Sequence, residues 1–588
     1  MSVLYQAFRR VAADHGDRVA VRSAEGEEIS YAQLVHLVER ISAELSTLGV
    51  APGDVVATRL ANSPGYVGLI LALARSGAVH VPISRSAAPD RIDWSIERTG
   101  PRLLVDEPDH GPYDRLPTVG LDELVTGRAR LDGAAEPAVH TGLFRMLETT
   151  GSTGMPKLVS WRQDDLLADR SAWLSYLGIT PDDVFLTMHP LDVAHGVDVH
   201  MFPALLAGAR LVLSDPEAAP GLLVDDLDRS GATVFSALPR HYDQLAGCGP
   251  RTLSRLRLPL CGGAYLSQDV VRQSRHRLGI HIRRIYGSTE FGIVLGNLDD
   301  VPQEDRGMRP LPEVQVQLGP LTGQPSQPPA GEGDAGRSVG EILARSPHTS
   351  RGYHADPTAT AQAFRDGWYH TGDVAERTPT GEYRVLGRVA DAMPADGGVR
   401  FAAPVEAALQ ACGLVAEAAV LPSLPGVEPV AAVVGARDAS ADTVRAAAEK
   451  VLREHGLAIP LRVLDQLPYT PSARSTSRSY GDVSGSRQPE PASSLVSTVR
   501  GCGGGFRAWS GRRGCQVNQC ISLGRRDVQY VTADDRATSY HLSGKLAARY
   551  KEFVCRGAAW AISHPTLMFP SRRRHLTAPL PVPLAADR

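Results

Sequence analysis

Thr149-Thr150-Gly151-Ser152-Thr153-Gly154-Met155-Pro156-Lys157 concentrates hydroxyls, glycines and a lysine in one short run. Glycine lets successive backbone N–H groups turn towards an anion at no steric cost, the hydroxyls add donors, and Lys157 adds a cation. Such a loop suits a polyphosphate. Taken alone, this composition also describes many solvated turns. Its weight comes from the segments that follow it in order: Tyr286-Gly287-Ser288-Thr289-Glu290, Tyr369-His370-Thr371-Gly372-Asp373 and Gly387-Arg388.

Together the four segments resemble the adenylate-forming (AMP-binding) superfamily of acyl-CoA synthetases, luciferases and peptide-synthetase adenylation domains, with acyl- and aryl-CoA ligases the nearest group. The resemblance spans roughly residues 1–474. It implies an α/β fold with a large N-terminal domain of doubly wound sheets over 1–388, including a small β-barrel part. A hinge at 389–391 and a small mobile α+β lid over 392–472 would follow. The implied chemistry is that of an AMP-forming acid–thiol ligase, which converts a carboxylic acid and ATP to acyl-AMP and passes the acyl group to coenzyme A. Two alternatives stay open: an adenylation enzyme that loads an amino or carboxylic acid onto carrier-protein phosphopantetheine, and a nucleotide-binding protein with impaired turnover.

Composition fits this reading. A chain of 588 residues, 43% of them hydrophobic, is too long for one core and predicts two or more domains. A net charge of −3 argues against nucleic acid or an anionic membrane as the main partner. The start of the chain carries Arg9, Arg10 and Asp14 without an apolar segment, and no uninterrupted apolar run reaches about 18 residues. The expectation is a cytoplasmic enzyme without a membrane partner. The seven cysteines contain no C-x-x-C pair, so a zinc site is not expected.

Periodicity places several elements. Leu34, Leu37, Val38, Ile41, Leu45 and Leu48 predict a helix over 31–48; Val55-Val56-Ala57 and Val79-His80-Val81-Pro82 predict buried strands, with a helix over 69–75 between them. Residues 202–213 read as helix then strand across Gly208, and alternating β and α elements imply parallel sheets covered on both faces. Residues 319–340, rich in Gly, Pro and Ser, predict a loop. Beyond it, 381–387 reads as a strand after a turn, 404–412 as a helix and 418–421 as a strand.

The resemblance also assigns roles. Thr149, Thr150, Gly151, Ser152, Thr153, Gly154 and Lys157 would hold the β- and γ-phosphates as pyrophosphate leaves. Tyr286 would stack on adenine beside Gly287, and Thr289 and Glu290 would meet the α-phosphate and Mg2+; a hard cation seeks oxygen ligands, which a carboxylate supplies. Gly263 and Ala264 match a turn beside the nucleotide and acyl group. Asp373, acceptor-only when ionised, can take both ribose hydroxyl protons, and Arg388 offers a planar fork to the ribose or α-phosphate side. A structural ion pair between Asp373 and Arg388 is the plain alternative. Arg400 falls where the lid lines the pantetheine channel, although Pro394 breaks the usual pattern there.

The acid pocket is less legible. Pro190-Leu191-Asp192-Val193-Ala194-His195-Gly196 resembles a Pro-Leu-Phe-His-x-x-Gly segment, with Asp192 and Val193 replacing Phe-His. Asp192 either meets a substrate amine or is a solvated loop acid, the second being favoured; His195 is the other pocket candidate.

The family ends in Thr-x-Ser-Gly-Lys, whereas this chain reads Thr470-Pro471-Ser472-Ala473-Arg474-Ser475-Thr476. Arg474 would stand in for the lysine with a broader, planar group. From Ala473 onward 18 Lys and Arg face 7 Asp and Glu, and apolar periodicity vanishes. A continuation Gly-Lys-Val-Asp written GGC AAG GTC GAC, losing one G, becomes GCA AGG TCG AC and encodes Ala-Arg-Ser-Thr. Residues 473–588 are therefore read as out of frame, a basic disordered extension being the alternative.

Overall fold

The computed structural model describes residues 2–110, 113–127, 142–149, 156–298, 307–321, 338–396, 398–422, 428–437, 439–467, 529–531 and 537–539. The chain divides into two compact units, 1–467 interrupted at 152–154, and 468–588 with those three residues. In the second unit the described part is an antiparallel hairpin, Gln529–Val531 with Ala537–Ser539.

Two large sheets dominate the first unit. One has six strands in the order Thr118–Gly120, Leu103–Asp106, Val55–Arg59, Val79–Pro82, Leu143–Glu148, Leu158–Arg162, all parallel except the last pair. The other has nine. Its parallel centre runs Arg283–Ser288, Leu258–Cys261, Val234–Ala237, Val184–Thr187, Arg210–Leu213, Val19–Arg22, and antiparallel strands close each edge. Crossover helices cover these strands, as parallel pairing requires.

Local sequence explains the helices. In Tyr31–Thr47 the Ser30 hydroxyl accepts from the Gln33 N–H while the Gln33 side chain accepts from the Ser30 N–H, a capping box. Leu34, Val38, Ile41 and Leu45 then form one fully buried stripe, each contributing roughly 1.5–3 kcal/mol. Pro64–Ser76 starts on a Ser63 cap with Pro64 in its first turn, and stops at Gly77, whose φ of 70° is left-handed. Its buried residues cover nearly every face, from Pro64 and Tyr66 to Ala74, so this helix runs through the core.

A five-stranded antiparallel sheet follows: Gln315–Gly319, Ser338–Arg345, Trp368–Arg377, Phe364–Arg365 and Tyr383–Arg388. This is the part expected to be barrel-like. Residues 392–467 build a core of their own from Met393, Val405, Leu409, Val433, Val444 and Leu452. There a mixed sheet, Val415–Leu421, Val430–Gly435 and Leu461–Leu464, carries the helices Ala402–Ala411 and Ala441–Glu454. The periodicity-based elements at 31–48, 55–57, 69–75, 79–82, 202–213, 381–387, 404–412 and 418–421 all stand within a few residues of their expected bounds. Among the described residues no helix is long and apolar enough to cross a membrane.

One element departs from the common menu. His195–Met201 forms a π-helix at the carboxyl end of the nine-stranded sheet, and such turns recur at functional sites. It begins in a tight bend: a Cβ on Gly196 would lie 2.3 Å from the Pro190 carbonyl oxygen, so only glycine fits there.

Candidate active site

In open α/β sheets the crevice beyond the carboxyl ends of the strands is where ligands bind, and Thr149, Gly263, Thr289 and Glu290 follow such ends. Leu143–Glu148 and Leu158–Arg162 are antiparallel neighbours, Glu148 opposite Leu158, and the Thr149 N–H donates to the Lys157 carbonyl at 2.8 Å. Thr149 and Lys157 thus close the neck of the phosphate-loop candidate. Thr150, Gly151, Ser152, Thr153 and Gly154 lie outside the described residues.

Two aromatic residues that sequence reasoning missed join this neck to the Thr289–Glu290 turn. The Lys157 ammonium sits 4.6 Å from the centre of the Tyr353 ring, a cation–π contact. The Tyr353 hydroxyl donates to Glu290 Oε1 at 2.9 Å, and the Trp161 indole N–H donates to the Thr289 carbonyl at 2.8 Å. Tyr353 reaches this point because its backbone bridges to Val159, with Ser160 N–H donating to the Gly352 carbonyl and His354 N–H to that of Leu158. Lys157, Thr289 and Glu290, distant in sequence, therefore meet.

A second group forms around Asp373. Asp373 and Arg388 are cross-strand partners; the Arg388 Nε–H faces Asp373 Oδ1 at 3.1 Å, and the Tyr286 hydroxyl donates to Oδ2 at 2.7 Å. Burial pushes the Asp373 carboxyl above its ordinary range, with Glu290 and Asp391 adding to the rise, while Arg388 and the Tyr286 bond pull it down. Burial and then the Asp373 charge raise the Tyr286 phenol, which stays a donor. Gly287 is dictated by close approach, because a Cβ there would lie 2.3 Å from the Gly292 carbonyl oxygen in the neighbouring strand. Thr371 braces the turn: its hydroxyl donates to the Ile342 carbonyl at 2.9 Å and accepts from the Asp373 N–H at 3.0 Å.

The other site candidates are dispersed. Gly263 and Ala264 follow the Leu258–Cys261 strand in an exposed turn, Gly263 with a φ of 80°. Arg400 lies on the Gly398–Phe401 strand opposite Met393, and its guanidinium donates to the Val399 carbonyl at 3.0 Å. Its neighbour Phe401 lies against Gly387 of the strand that carries Arg388. Arg474 lies outside the described residues.

Asp192 corrects the expectation of a solvated loop acid. It is largely buried; its Oδ1 has no hydrogen-bond partner, and burial raises its pKa against the opposing pull of Ser84 and Arg145. His195 belongs to a cluster that the sequence did not announce. His189, His195, His200 and His241 crowd together, the His189 and His195 rings stacking with centroids 4.0 Å apart. Burial lowers all four, His189 to about 4 and His200 and His241 to about 3, so the rings are neutral at pH 7.

Beneath them runs a buried ionic network. Arg145, fully buried on the strand that leads into Thr149, holds Asp198 of the π-helix at 3.2 Å and donates to the Leu191 carbonyl at 3.3 Å. Arg170 donates to the Asp198 carbonyl at 2.9 Å and pairs with Asp169, whose pKa burial raises to about 6.

A fold of two wound sheets, with Lys157 joined through Tyr353 to Glu290 just beyond the Arg283–Ser288 strand, defines a nucleotide-dependent α/β enzyme. The chain belongs to the AMP-binding enzyme family, which matches residues 8–354. It is 30% identical over 529 residues to a salicylyl-CoA synthase/salicylate adenylyltransferase of Streptomyces sp., covering 80% of this chain and 92% of that protein. A feruloyl-CoA synthase of Amycolatopsis sp. is 30% identical over 394 residues, 65% of this chain and 78% of the relative. Among solved structures, ATP-bound MatB from Rhodopseudomonas palustris superposes with a TM-score of 0.69 at 25% identity, over 79% of this chain and 96% of that one.

Proposed function

We propose that the protein activates a carboxylic acid with ATP and transfers the acyl group to a thiol, coenzyme A being the preferred acceptor. The observation that carries this reading is the convergence of Lys157, Tyr353 and Glu290 on the neck of the phosphate loop, with Tyr286, Asp373 and Arg388 as a second polar group. Relatives named for salicylyl- and feruloyl-CoA synthesis support an aromatic acid.

In the first half-reaction a carboxylate oxygen of the acid attacks the α-phosphorus and the bond to pyrophosphate breaks, giving acyl-AMP. Lys157 and the loop hydroxyls neutralise the departing charge; Asp373 accepts the ribose hydroxyls, Arg388 steadies the same side, and Tyr286 and the Gly263–Ala264 turn flank the base. Positioning and preorganised charge supply most of the rate in such transfers. Glu290 fits Mg2+: its Oε1 accepts from Tyr353, and a carboxylate has further lone pairs for a hard cation. Magnesium supplies charge neutralisation at the phosphates. In the second half-reaction the thiol sulfur attacks the acyl carbon, the bond to AMP breaks with its electron pair, and the thiol proton leaves to solvent. Residues 392–472 serve as the lid for this step, with Arg400 towards the pantetheine channel and 389–391 as hinge. A cytoplasmic setting belongs to the same reading.

Pyrophosphate release across a panel of carboxylic acids, with coenzyme A or a phosphopantetheinylated carrier added, tests it. The expected result is acid-dependent release and an acyl-CoA product. Acyl transfer to the carrier alone would favour the loading reading, and ATP binding without release the impaired one.

A further inference from the structure

Three of the four histidines are organised by one residue. Ser236, on the Val234–Ala237 strand, is fully buried. Its carbonyl lies 3.0 Å from His189 Nε2, its hydroxyl 2.7 Å from His195 Nε2, and its N–H donates to His200 Nε2 at 3.1 Å.

These partners fix tautomers. A carbonyl only accepts, so His189 carries its proton on Nε2 and its Nδ1 is a bare acceptor. His200 accepts at Nε2 and donates from Nδ1 to the His195 carbonyl at 3.0 Å, which makes it a satisfied core histidine. His189 and His195 differ. Among the described residues neither Nδ1 has a partner, and the ring stacking keeps the two on neighbouring faces. Because the Ser236 hydroxyl can donate or accept, His195 Nδ1 can answer in either sense.

The cluster is not a metal centre. Three rings already commit a nitrogen to Ser236, and the single group of convergent ligating atoms among the described residues is elsewhere, at Glu107, Asp109 and His110. It lies at the carboxyl ends of the strands, beside the Gly262–Gly263 turn. A Cβ on Gly263 would touch the Leu238 side chain, and the Leu238 N–H caps His241.

We infer that this neutral imidazole wall selects the acid: a planar ring acid that carries its own hydrogen-bond donor, a ring hydroxyl or ring amino group. The inference rests on the acid-activating reading above. A donor satisfies His189 Nδ1, and a hydroxyl also uses the adaptable His195. An ether or an unsubstituted ring leaves the buried acceptor unpaired, the circumstance in which a site rejects analogues most strongly. Burial of the rings keeps them neutral and able to accept.

The test is kcat/KM for pyrophosphate release with the hydroxybenzoates and 2-aminobenzoate, against benzoate, the matching methoxybenzoates and aliphatic acids. The best donor-bearing acid should exceed its methoxy counterpart and benzoate by about 10²-fold or more. His189→Phe should shrink that ratio towards one, and Ser236→Ala, which frees His195, should shrink it partly. Equal turnover of benzoate and hydroxybenzoates, or turnover of aliphatic acids alone, overturns the inference and leaves acid activation standing. Release with no acid overturns acid activation itself. Should His189→Phe fail to fold, the wild-type ratio and Ser236→Ala still decide.

Discussion

Asp373→Asn separates a ribose-binding carboxylate from a plain structural ion pair. The substitution keeps shape and one acceptor but removes the charge. Hydrogen bonds to charged groups are worth about 1.5–3 kcal/mol against about 0.5–1.5 for neutral ones, so two ribose hydroxyls that donate to the carboxylate should lose about 1.5–3 kcal/mol together. That is roughly a 10- to 150-fold rise in the ATP dissociation constant. The Arg388 partnership contributes little to the difference, since its side chain is 50% exposed and solvent screens such pairs to about 0–1 kcal/mol.

The electrostatics add a second signature. Burial, the largest influence, holds the Asp373 carboxyl above its ordinary range despite Arg388. Burial therefore shifts the balance towards the protonated acid relative to a free carboxylate, and hydroxyl donors shift it back towards the ionised form. ATP affinity should rise as pH climbs through the raised pKa, and Asp373→Asn should lose that dependence. Isothermal titration of ATP with Mg2+ at several pH values measures both, with thermal unfolding run alongside. A lowered midpoint with an unchanged ATP dissociation constant would falsify the ribose assignment in favour of the ion pair.

Lys157→Ala and Glu290→Ala should each slow pyrophosphate release about 10²-fold or more, since each removes preorganised charge; near-normal release by both would take them out of the site. The histidines make stability pH-dependent. With folded values of about 4 for His189 and about 3 for His200 and His241, against about 6.5 unfolded, the unfolded chain takes up protons first. Stability is then complete above about pH 6.5 and falls on acidification, by up to about 1.4 kcal/mol per pH unit per group. Asp169, raised to about 6, opposes this, because its raised value favours the folded state at low pH. Urea midpoints should drop between pH 7.5 and 5.5, and less so in a His189→Phe/His241→Phe variant; identical slopes would contradict burial of neutral rings. The Asp192 carboxyl is already drawn to Ser84 and Arg145, so pyrophosphate release should favour a deamino acid over the matching α-amino acid, and the opposite preference would reverse that assignment. Restoring the frame so that Ser472 is followed by Gly-Lys should speed adenylation while altering thiol transfer from supplied acyl-AMP little; adenylation already at full rate with Arg474 would remove the argument for a frame change.

Much of the fold is legible because burial has a period. Leu34, Val38, Ile41 and Leu45 announce their helix, and the fully buried Val79–Pro82 strand announces a parallel interior. The π-helix is not legible. His-Gly-Val-Asp-Val-His-Met alternates polar with apolar as a half-exposed strand would, yet Asp198 and His200 are as buried as the valines between them. Their polarity is absorbed by Arg145 and Ser236, partners far away in sequence. The same reason hides Trp161 and Tyr353, whose importance lies in whom they touch. Thr149, Lys157, Tyr286, Asp373 and Arg388 stand out in the sequence because the family resemblance carries particular residue types at fixed spacing. The histidines carry no such pattern: His189, His195, His200 and His241 come from three separate elements, and Ser236 gathers the first three of them.

The buried network suggests how the two halves of the site stay in register. Arg145 sits on the strand that leads into Thr149, and through Asp198 it grips the π-helix that carries His195 and His200. Arg170 takes the backbone carbonyl of the same Asp198. A guanidinium removed from water is tolerated only with its partners in place, and loss of one partner of a buried pair costs about 3–5 kcal/mol. The π-helix therefore cannot shift relative to the phosphate-loop strand without breaking the pair. Desolvation lowers the Arg145 pKa, while the Asp198 charge opposes that fall, so the arrangement is held by geometry more than by surplus energy. A transfer reaction needs its acid and its α-phosphorus within bonding reach at once. In this chain one salt bridge ties the π-helix that carries His195 and His200 to the strand that runs into Thr149.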